Sequence, residues 1–216
     1  HVQVSGAQGT PADLVPNAYG TAAYSMAGSS VTGKHVADGL SSGAGSDTNL
    51  GYTNTIAGFD VAFGYTPGAT GGSDMALNVK YSDLMDGLTL SYGMSDLNPA
   101  QANGTEETSI SAKYVIGGIT LGYTDFSADD DAASGTDYDG THYGVSFAVN
   151  DDMTVSYGKS TSDKSSTDTD EDISSIQVSY TMGSMTVKAH VSKASNEGYS
   201  EGADDEAKAI DVSWSF

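Results

Sequence analysis

Apolar and polar residues alternate along the chain from about residue 48 to its last residue. Successive side chains of a β-strand point to opposite faces, so a period of two predicts strands with one apolar and one polar face. In one such stretch Phe59, Val61 and Phe63 alternate with Asp60 and Ala62. The pattern predicts eleven strands, at 48–53, 57–66, 74–83, 88–97, 108–116, 119–128, 141–149, 153–162, 173–182, 185–195 and 207–216.

The lengths of these strands and of the links between them favour a transmembrane β-barrel. A tilted strand needs about 9–11 residues to cross a bilayer, whereas soluble strands usually have about 5–6. The short links are 54–57, 84–87, 117–118, 150–152 and 183–184, and the long links are 67–73, 98–107, 129–140, 163–172 and 196–206. Barrels alternate short turns and long loops in this way. A soluble two-sheet sandwich would also alternate apolar and polar positions, so that alternative stays open.

Residues 1–46 lack this periodicity and are mostly small and polar, with a Gly/Ser stretch over 39–46. An irregular segment of this length within a compact domain is commonly functional. We predict a long loop over 1–46, with a short helix within 14–26.

The composition excludes several classes of protein. The chain has 29 acidic residues, 8 lysines, no arginine and a formal charge of -21, which argues against a nucleic-acid partner because phosphate binding needs clustered Lys or Arg. No window approaches the ~18 consecutive apolar residues of a membrane helix, so a helical membrane protein is excluded. There are no cysteines. No phosphate loop or nucleophile elbow is present, and we predict that the protein is not an enzyme.

Two stretches resemble a known class of protein. The last strand, with Ile210, Val212, Trp214 and Phe216 on its apolar face, resembles the closing strand of bacterial outer-membrane β-barrels, where such positions act as an assembly signal. Residues 49–68 contain a Tyr-bearing strand, a tight turn ending in Gly-Phe and an aromatic strand ending in Tyr-Thr-Pro. This stretch resembles the part of Gram-negative general porins that follows their third loop, although the proline usual in that turn is missing.

The resemblance implies an all-β fold, an antiparallel transmembrane β-barrel of sixteen strands with an infolded constriction loop. Residues 1–46 would be that loop, the third external one, and residues 47–216 would hold strands six to sixteen of a single domain. Five N-terminal strands would then be absent from this sequence; alternatively, His1–Ser5 would form a twelfth strand that closes a smaller barrel. The resemblance also implies a homotrimer in the bacterial outer membrane, in contact with lipid and lipopolysaccharide.

Six titratable residues fall on the polar faces of predicted strands, which a barrel would turn toward its lumen: Lys80, Lys113, Lys188, His190, Asp60 and Asp211. Fixed charges in a pore change the local ion concentration and therefore its selectivity. The constriction loops of the family are acidic, and the candidates for that role are Asp13, Asp38 and Asp47. The family often sets arginines opposite this loop, and this chain has none.

Acidic residues concentrate in the predicted long links: Glu106, Glu107, Asp129, Asp130, Asp131, Asp137, Asp139, Asp163, Asp168, Asp170, Glu171, Asp172, Glu197, Glu201, Asp204, Asp205 and Glu206. At a pore mouth they would attract cations and repel anions. They could also bind Ca²⁺ or Mg²⁺ through carboxylate oxygens. Asp168, Asp170 and Asp172 imitate the start of an EF-hand loop, but Ile173 stands where glycine is required. We therefore predict that these loop carboxylates are solvated and that the protein has no resident cofactor.

Together these features predict an outer-membrane porin through which small hydrophilic solutes and ions diffuse passively, with a preference for cations. Two alternatives remain open. One is an outer-membrane barrel that acts as an adhesin or as a ligand or phage receptor through its acidic external loops. The other is a secreted, soluble, calcium-binding β-protein.

Overall fold

The computed structural model describes residues 2–4, 14–20, 50–67, 73–97, 104–130 and 135–215. In this part of the chain, twelve strands form one sheet and follow one another in sequence order. The strands are β1 (Val2–Val4), β2 (Leu50–Ile56), β3 (Phe59–Thr66), β4 (Asp74–Tyr81), β5 (Leu88–Leu97), β6 (Thr105–Ile116), β7 (Ile119–Asp130), β8 (Tyr138–Asn150), β9 (Met153–Lys164), β10 (Glu171–Met182), β11 (Met185–Ser195) and β12 (Asp205–Trp214). A 3-10 helix, Glu197–Tyr199, precedes β12. None of the described segments is a helix long and apolar enough to cross a membrane.

The eleven strands predicted from the alternation are confirmed as β2 to β12. An additional short strand, β1, pairs antiparallel with β2, with Val2 opposite Tyr52 and Val4 opposite Leu50. The strand expected within His1–Ser5 under the smaller-barrel alternative is therefore present, and its partner is β2.

The first tight turn lies further along the chain than predicted. The sequence indicated a turn over 54–57, but β2 continues to Ile56 and the turn is formed by Ala57 and Gly58. Both residues have positive φ angles, 52° and 84°. A two-residue hairpin loop with two positive φ angles matches the right-handed twist of its strands, which is why the pairing extends up to Ile56 opposite Phe59.

Four of the five long links, all but 67–73, are shorter than predicted because the strands continue into them. Ten acidic residues therefore lie in strands and not in the predicted loops: Glu106, Glu107, Asp129, Asp130, Asp139, Asp163, Glu171, Asp172, Asp205 and Glu206. Antiparallel pairing uses backbone groups, so it can continue beyond the last apolar side chain. Two of these acids, Glu107 and Glu171, are buried and do not belong to a solvated surface.

The chain forms two compact units. The first consists of residues 1–13, 36–112 and 125–139, and it contains β1 to β5, the beginning of β6 and the end of β7. The second consists of residues 14–35, 113–124 and 140–216, and it contains most of β8 and all of β9 to β12, with the end of β6 and the beginning of β7.

In the first unit the polar faces point inward and the apolar faces point outward. On β5, Ser91 and Ser95 are buried, whereas Leu90 and Tyr92 on the opposite face are exposed. The strand registers keep these faces together, since Tyr92 lies opposite Val79 of β4.

The second unit repeats this arrangement. Ser175 and Gln177 of β10 are buried, while Ile176 between them is 61% exposed. On β12, Ile210 and Trp214 are 73% and 58% exposed. A soluble sandwich would bury such side chains between its sheets, so the soluble alternative is wrong for the described strands. Apolar faces turned outward and polar faces turned inward are characteristic of a barrel in lipid.

Candidate functional site

The polar face of the first unit carries an ion pair between two predicted site residues. Asp60 of β3 lies directly opposite Lys80 of β4. Their side chains are 54% and 42% exposed, and Lys80 Nζ is 3.6 Å from Asp60 Oδ2. Thr55 Oγ1 also donates a hydrogen bond to Asp60 Oδ1 at 2.7 Å. The pair borders a depression of about 370 Å³ whose wall also includes Thr53 and Asn78.

The polar face of the second unit is covered by residues 14–20. The sequence predicted a short helix within 14–26. Residues 14–17 have no regular structure and 18–20 form a bend, whereas residues 21–26 lie outside the described part of the chain. Pro16 suits the irregular backbone here, because proline disfavours the helical conformation of the residue before it and lacks a backbone N–H.

Tyr19 is the centre of the contacts between this segment and the strands. Its hydroxyl donates a hydrogen bond to Asp211 Oδ2. Its backbone N–H donates to Gln177 Oε1 at 2.9 Å, and its carbonyl accepts a bond from Lys188 Nζ at 3.0 Å. Its ring meets the ring of His190 edge-on, with centroids 4.6 Å apart. One buried tyrosine thus contacts side chains of three neighbouring strands, β10, β11 and β12.

The hydrogen bond to Asp211, followed by burial and the negative charge of Asp211, raises the pKa of the Tyr19 hydroxyl above its ordinary value. The phenol therefore stays protonated at neutral pH and remains a donor to the carboxylate.

Two glycines allow the backbone of the segment to approach the strands closely. A Cβ at Gly122 of β7 would lie 2.6 Å from the Leu14 carbonyl oxygen and 2.6 Å from Pro16 Cδ. A Cβ at Gly144 of β8 would lie 2.8 Å from Val15 Cγ1. Any larger residue at these positions would collide with the segment.

A polar network lies beneath Tyr19. His190 Nδ1 is 3.2 Å from Ser192 Oγ, and Ser192 Oγ donates to Ser175 Oγ at 2.9 Å. Ser156 Oγ accepts a 2.8 Å bond from the backbone N–H of Ala18. Buried hydroxyl and amide groups need such partners, so this network fixes the polar face that receives the segment.

The structure brings the predicted site residues together in two groups. Asp60 and Lys80 meet in the first unit, and Lys188, His190 and Asp211 meet around Tyr19 in the second. Lys113 lies on the polar face of β6, partly exposed.

The predicted assembly residues Ile210, Val212 and Trp214 are exposed on the apolar face of β12. The remaining predicted residues lie outside the described part of the chain: Asp13, Asp38, Asp47, Asp131 and Phe216.

Sequence reasoning missed five residues that build the covered site: Tyr19, Ser156, Gln177, Gly122 and Gly144. The glycines offered a usable signal, because an isolated glycine within a strand often marks a close backbone approach. Tyr19 offered none, since nothing in an irregular stretch indicates which strand it will contact.

The weak calcium candidates Asp168, Asp170 and Asp172 are not grouped as metal ligands in the described part of the chain. Among the described residues, no group of three or more His, Asp or Glu side chains is arranged to hold a metal ion. Asp172 instead pairs with Lys159 at 3.0 Å.

The outward apolar faces, the buried polar faces and the strand order define the fold of an outer-membrane β-barrel. Residues 5–199 match the family model for Gram-negative porins. The chain therefore belongs to the Gram-negative porin family, and it is a protein of the bacterial outer membrane. No curated protein matches the chain.

Solved porin-like structures share this fold at low sequence identity. OmpT, an outer membrane protein of Vibrio cholerae, is 17% identical with a TM-score of 0.59, over 77% of this chain and 61% of that one. An anion-selective porin from Comamonas acidovorans is 14% identical with a TM-score of 0.66, over 79% of this chain and 60% of that one. The chain thus spans about three fifths of the length of each.

Proposed function

We propose that the chain builds the wall of a water-filled pore through which small hydrophilic solutes and ions diffuse passively across the outer membrane. The observation that carries this proposal is the covered polar face of the second unit, where Tyr19 holds an irregular segment against inward-facing charged side chains. A polar face that bears Lys, His and Asp suits water and solutes, while the opposite face suits lipid. Ser192 Oγ lies 3.2 Å from His190 Nδ1, but it donates its proton to Ser175 Oγ and is fully buried, so we propose a channel and not an enzyme.

We further propose that the constriction loop lies within residues 1–46, after β1, and that residues 47–216 are strands six to sixteen of a sixteen-stranded barrel. Residues 14–20 support this assignment because they lie on the polar face and not beyond the strand ends. Asp13, Asp38 and Asp47 would supply acid within that loop.

We propose that the pore prefers cations. The formal charge is -21, and two of the lysines on polar faces, Lys80 and Lys188, each lie opposite an aspartate. Their positive charges are therefore offset locally, and the excess acid sets the sign of the field that ions meet. In a salt gradient across a planar bilayer, the reversal potential should show cation preference, and an anion-selective potential would overturn this part of the proposal.

The pore itself is tested by planar-bilayer conductance of the detergent-extracted native protein. We expect stepwise insertion of large, ohmic channels. Well-folded protein that inserts without conducting would contradict the proposal.

Steps in groups of three would support a homotrimer, the state in which one form of the Vibrio cholerae protein was solved. Lipid and lipopolysaccharide would surround the outward face.

A further inference from the structure

Two lysines of the second unit lie in one row across the outward face. Ser174 of β10 is opposite Lys159 of β9 on one side and opposite Lys193 of β11 on the other. Lys193 is in turn opposite Glu206 of β12. Neighbouring strands are about 4.8 Å apart, so the two lysine backbones lie about 10 Å apart on the same face.

The row lies at the edge of the exposed apolar surface. The next outward row lies two residues further along each strand. It consists of Tyr157, Ile176 and Val191, with Lys208 at its end. All three apolar members of this row are exposed, Ile176 to 61%. A lysine at such a boundary lays its methylene stem on apolar surface and extends its ammonium toward water.

The lysines outnumber the acids that contact them. Lys159 Nζ is 3.0 Å from Asp172, and Lys193 Nζ is 3.4 Å from Glu206, which also pairs with Lys208. Three ammonium groups thus share two carboxylates, and the side chains of Lys193 and Lys208 are each 65% exposed. We call Lys159, Lys193 and Lys208 the outer lysine patch.

The outward face of the first unit differs in charge. Its described charged residues on β5 to β8 are acidic: Asp96, Glu106, Asp125, Asp129 and Asp139. The other lysines of the described chain fall on polar faces: Lys80, Lys113, Lys164 and Lys188. In a chain with a formal charge of -21, the outer lysine patch is therefore a local exception on the lipid-facing side.

We propose that the outer lysine patch binds the phosphate of an anionic lipid headgroup. Ammonium groups form strong charge-assisted hydrogen bonds with phosphate oxygens. The apolar row beneath the patch would contact the acyl chains of the same lipid, which a free phosphate ion lacks. This inference goes beyond the proposed pore function and does not depend on conduction.

The test measures lipid binding to the native protein in neutral detergent by native mass spectrometry. The probes are phosphatidic acid and phosphatidylcholine with identical acyl chains. We expect phosphatidic acid to bind at least about tenfold more tightly, because choline covers part of the phosphate charge that the ammonium groups attract. Equal binding of the two lipids would overturn the proposal.

The decisive variant is K159Q/K193Q/K208Q, which should lose about tenfold in phosphatidic acid binding. The matched control K80Q/K113Q/K164Q removes the same charge from polar faces and should stay within about twofold of the native protein, because those charges do not meet the lipid. An equal loss in both triple variants would show a general charge effect and would contradict the assignment.

Two further measurements test whether the positive charge itself is what binds and whether the ligand is a lipid or a free phosphate ion. The charge-conserving variant K159R/K193R/K208R should retain binding, and loss of binding in this variant while its far-UV circular dichroism stays native would count against the phosphate contact. Inorganic phosphate at concentrations equal to the lipid should not compete, and full competition would indicate a free-anion site. Because the readout is lipid binding, a failure here leaves the conductance test of the pore unaffected.

Discussion

Both units place a lysine opposite an aspartate on their polar faces, but the two pairs have different surroundings. Asp60 and Lys80 of the first unit contact each other at 3.6 Å, and both are about half exposed. Lys188 and Asp211 of the second unit are also direct cross-strand neighbours, yet both bind Tyr19, through its carbonyl and its hydroxyl. The same two residue types form an exposed ion pair in one unit and an anchor for a covering segment in the other.

The difference shows that the covering segment decides what the pair does. An exposed ion pair typically contributes about 0–1 kcal/mol to stability. Hydrogen bonds to charged groups typically contribute about 1.5–3 kcal/mol each. We therefore expect changes around Tyr19 to have large effects and matched changes around Asp60 to have small ones.

The largest effect should come from Gly122→Val. The added atoms would overlap the Leu14 carbonyl oxygen and Pro16, neither of which is the end of a flexible side chain. Forced overlap typically costs about 1–3 kcal/mol or more, and the segment would relieve it by leaving the strand surface. The single-channel conductance should rise, or the open-channel current should fluctuate more.

Thr120→Val is the control for this variant. It lies two residues earlier on the same strand face and adds almost no volume. Unchanged conductance in a folded Gly122→Val protein would mean that the segment does not limit the pore.

Tyr19→Phe should have the next largest effect. It keeps the ring on His190 but removes the hydroxyl that donates to Asp211, which weakens the anchor by about 1.5–3 kcal/mol. We expect faster open-channel fluctuations and easier protease cleavage within 1–46. Tyr52→Phe removes a hydroxyl that accepts a bond from Asn54 in an exposed position and is the matched control. Identical behaviour of the two variants would contradict the role of Tyr19.

The smallest and most direct comparison is Asp211→Asn against Asp60→Asn. Each variant removes one negative charge opposite a lysine. Asp60→Asn should lower the free energy of unfolding by less than about 1 kcal/mol, because its partner is already solvated. Asp211→Asn should cost more, since the Tyr19 hydroxyl would lose a charged acceptor. Denaturation of both proteins in detergent measures the difference, and equal destabilisation would show that the segment adds nothing to the pair.

Much of the fold could be predicted because it follows from local geometry. The period of two located β2 to β12, and it assigned Lys80, Lys188 and Asp211 to polar faces and Ile210 and Trp214 to the apolar face of their strand. The 49–68 stretch and the last strand pointed to the porin family. Where the prediction failed, local backbone geometry set the end of the strand, as at the turn formed by Ala57 and Gly58.

The covered site could be predicted only in part. The sequence identified Lys188, His190 and Asp211 as polar-face residues, but it did not identify what they bind. Tyr19 and Asp211 are 192 positions apart in sequence, and no periodicity relates positions so distant. Their contact depends on how the strands align and on the space left by Gly122.

The sequence by itself determined where β2 to β12 lie along the chain, which face their side chains occupy and the excess of negative charge. The reason is that strand alternation depends only on neighbouring residues. The tertiary structure alone decided that Tyr19 joins β10, β11 and β12, and that one Lys/Asp pair binds Tyr19 while the other forms a direct ion pair. Those outcomes depend on which distant backbone segments come together and on the room left between them.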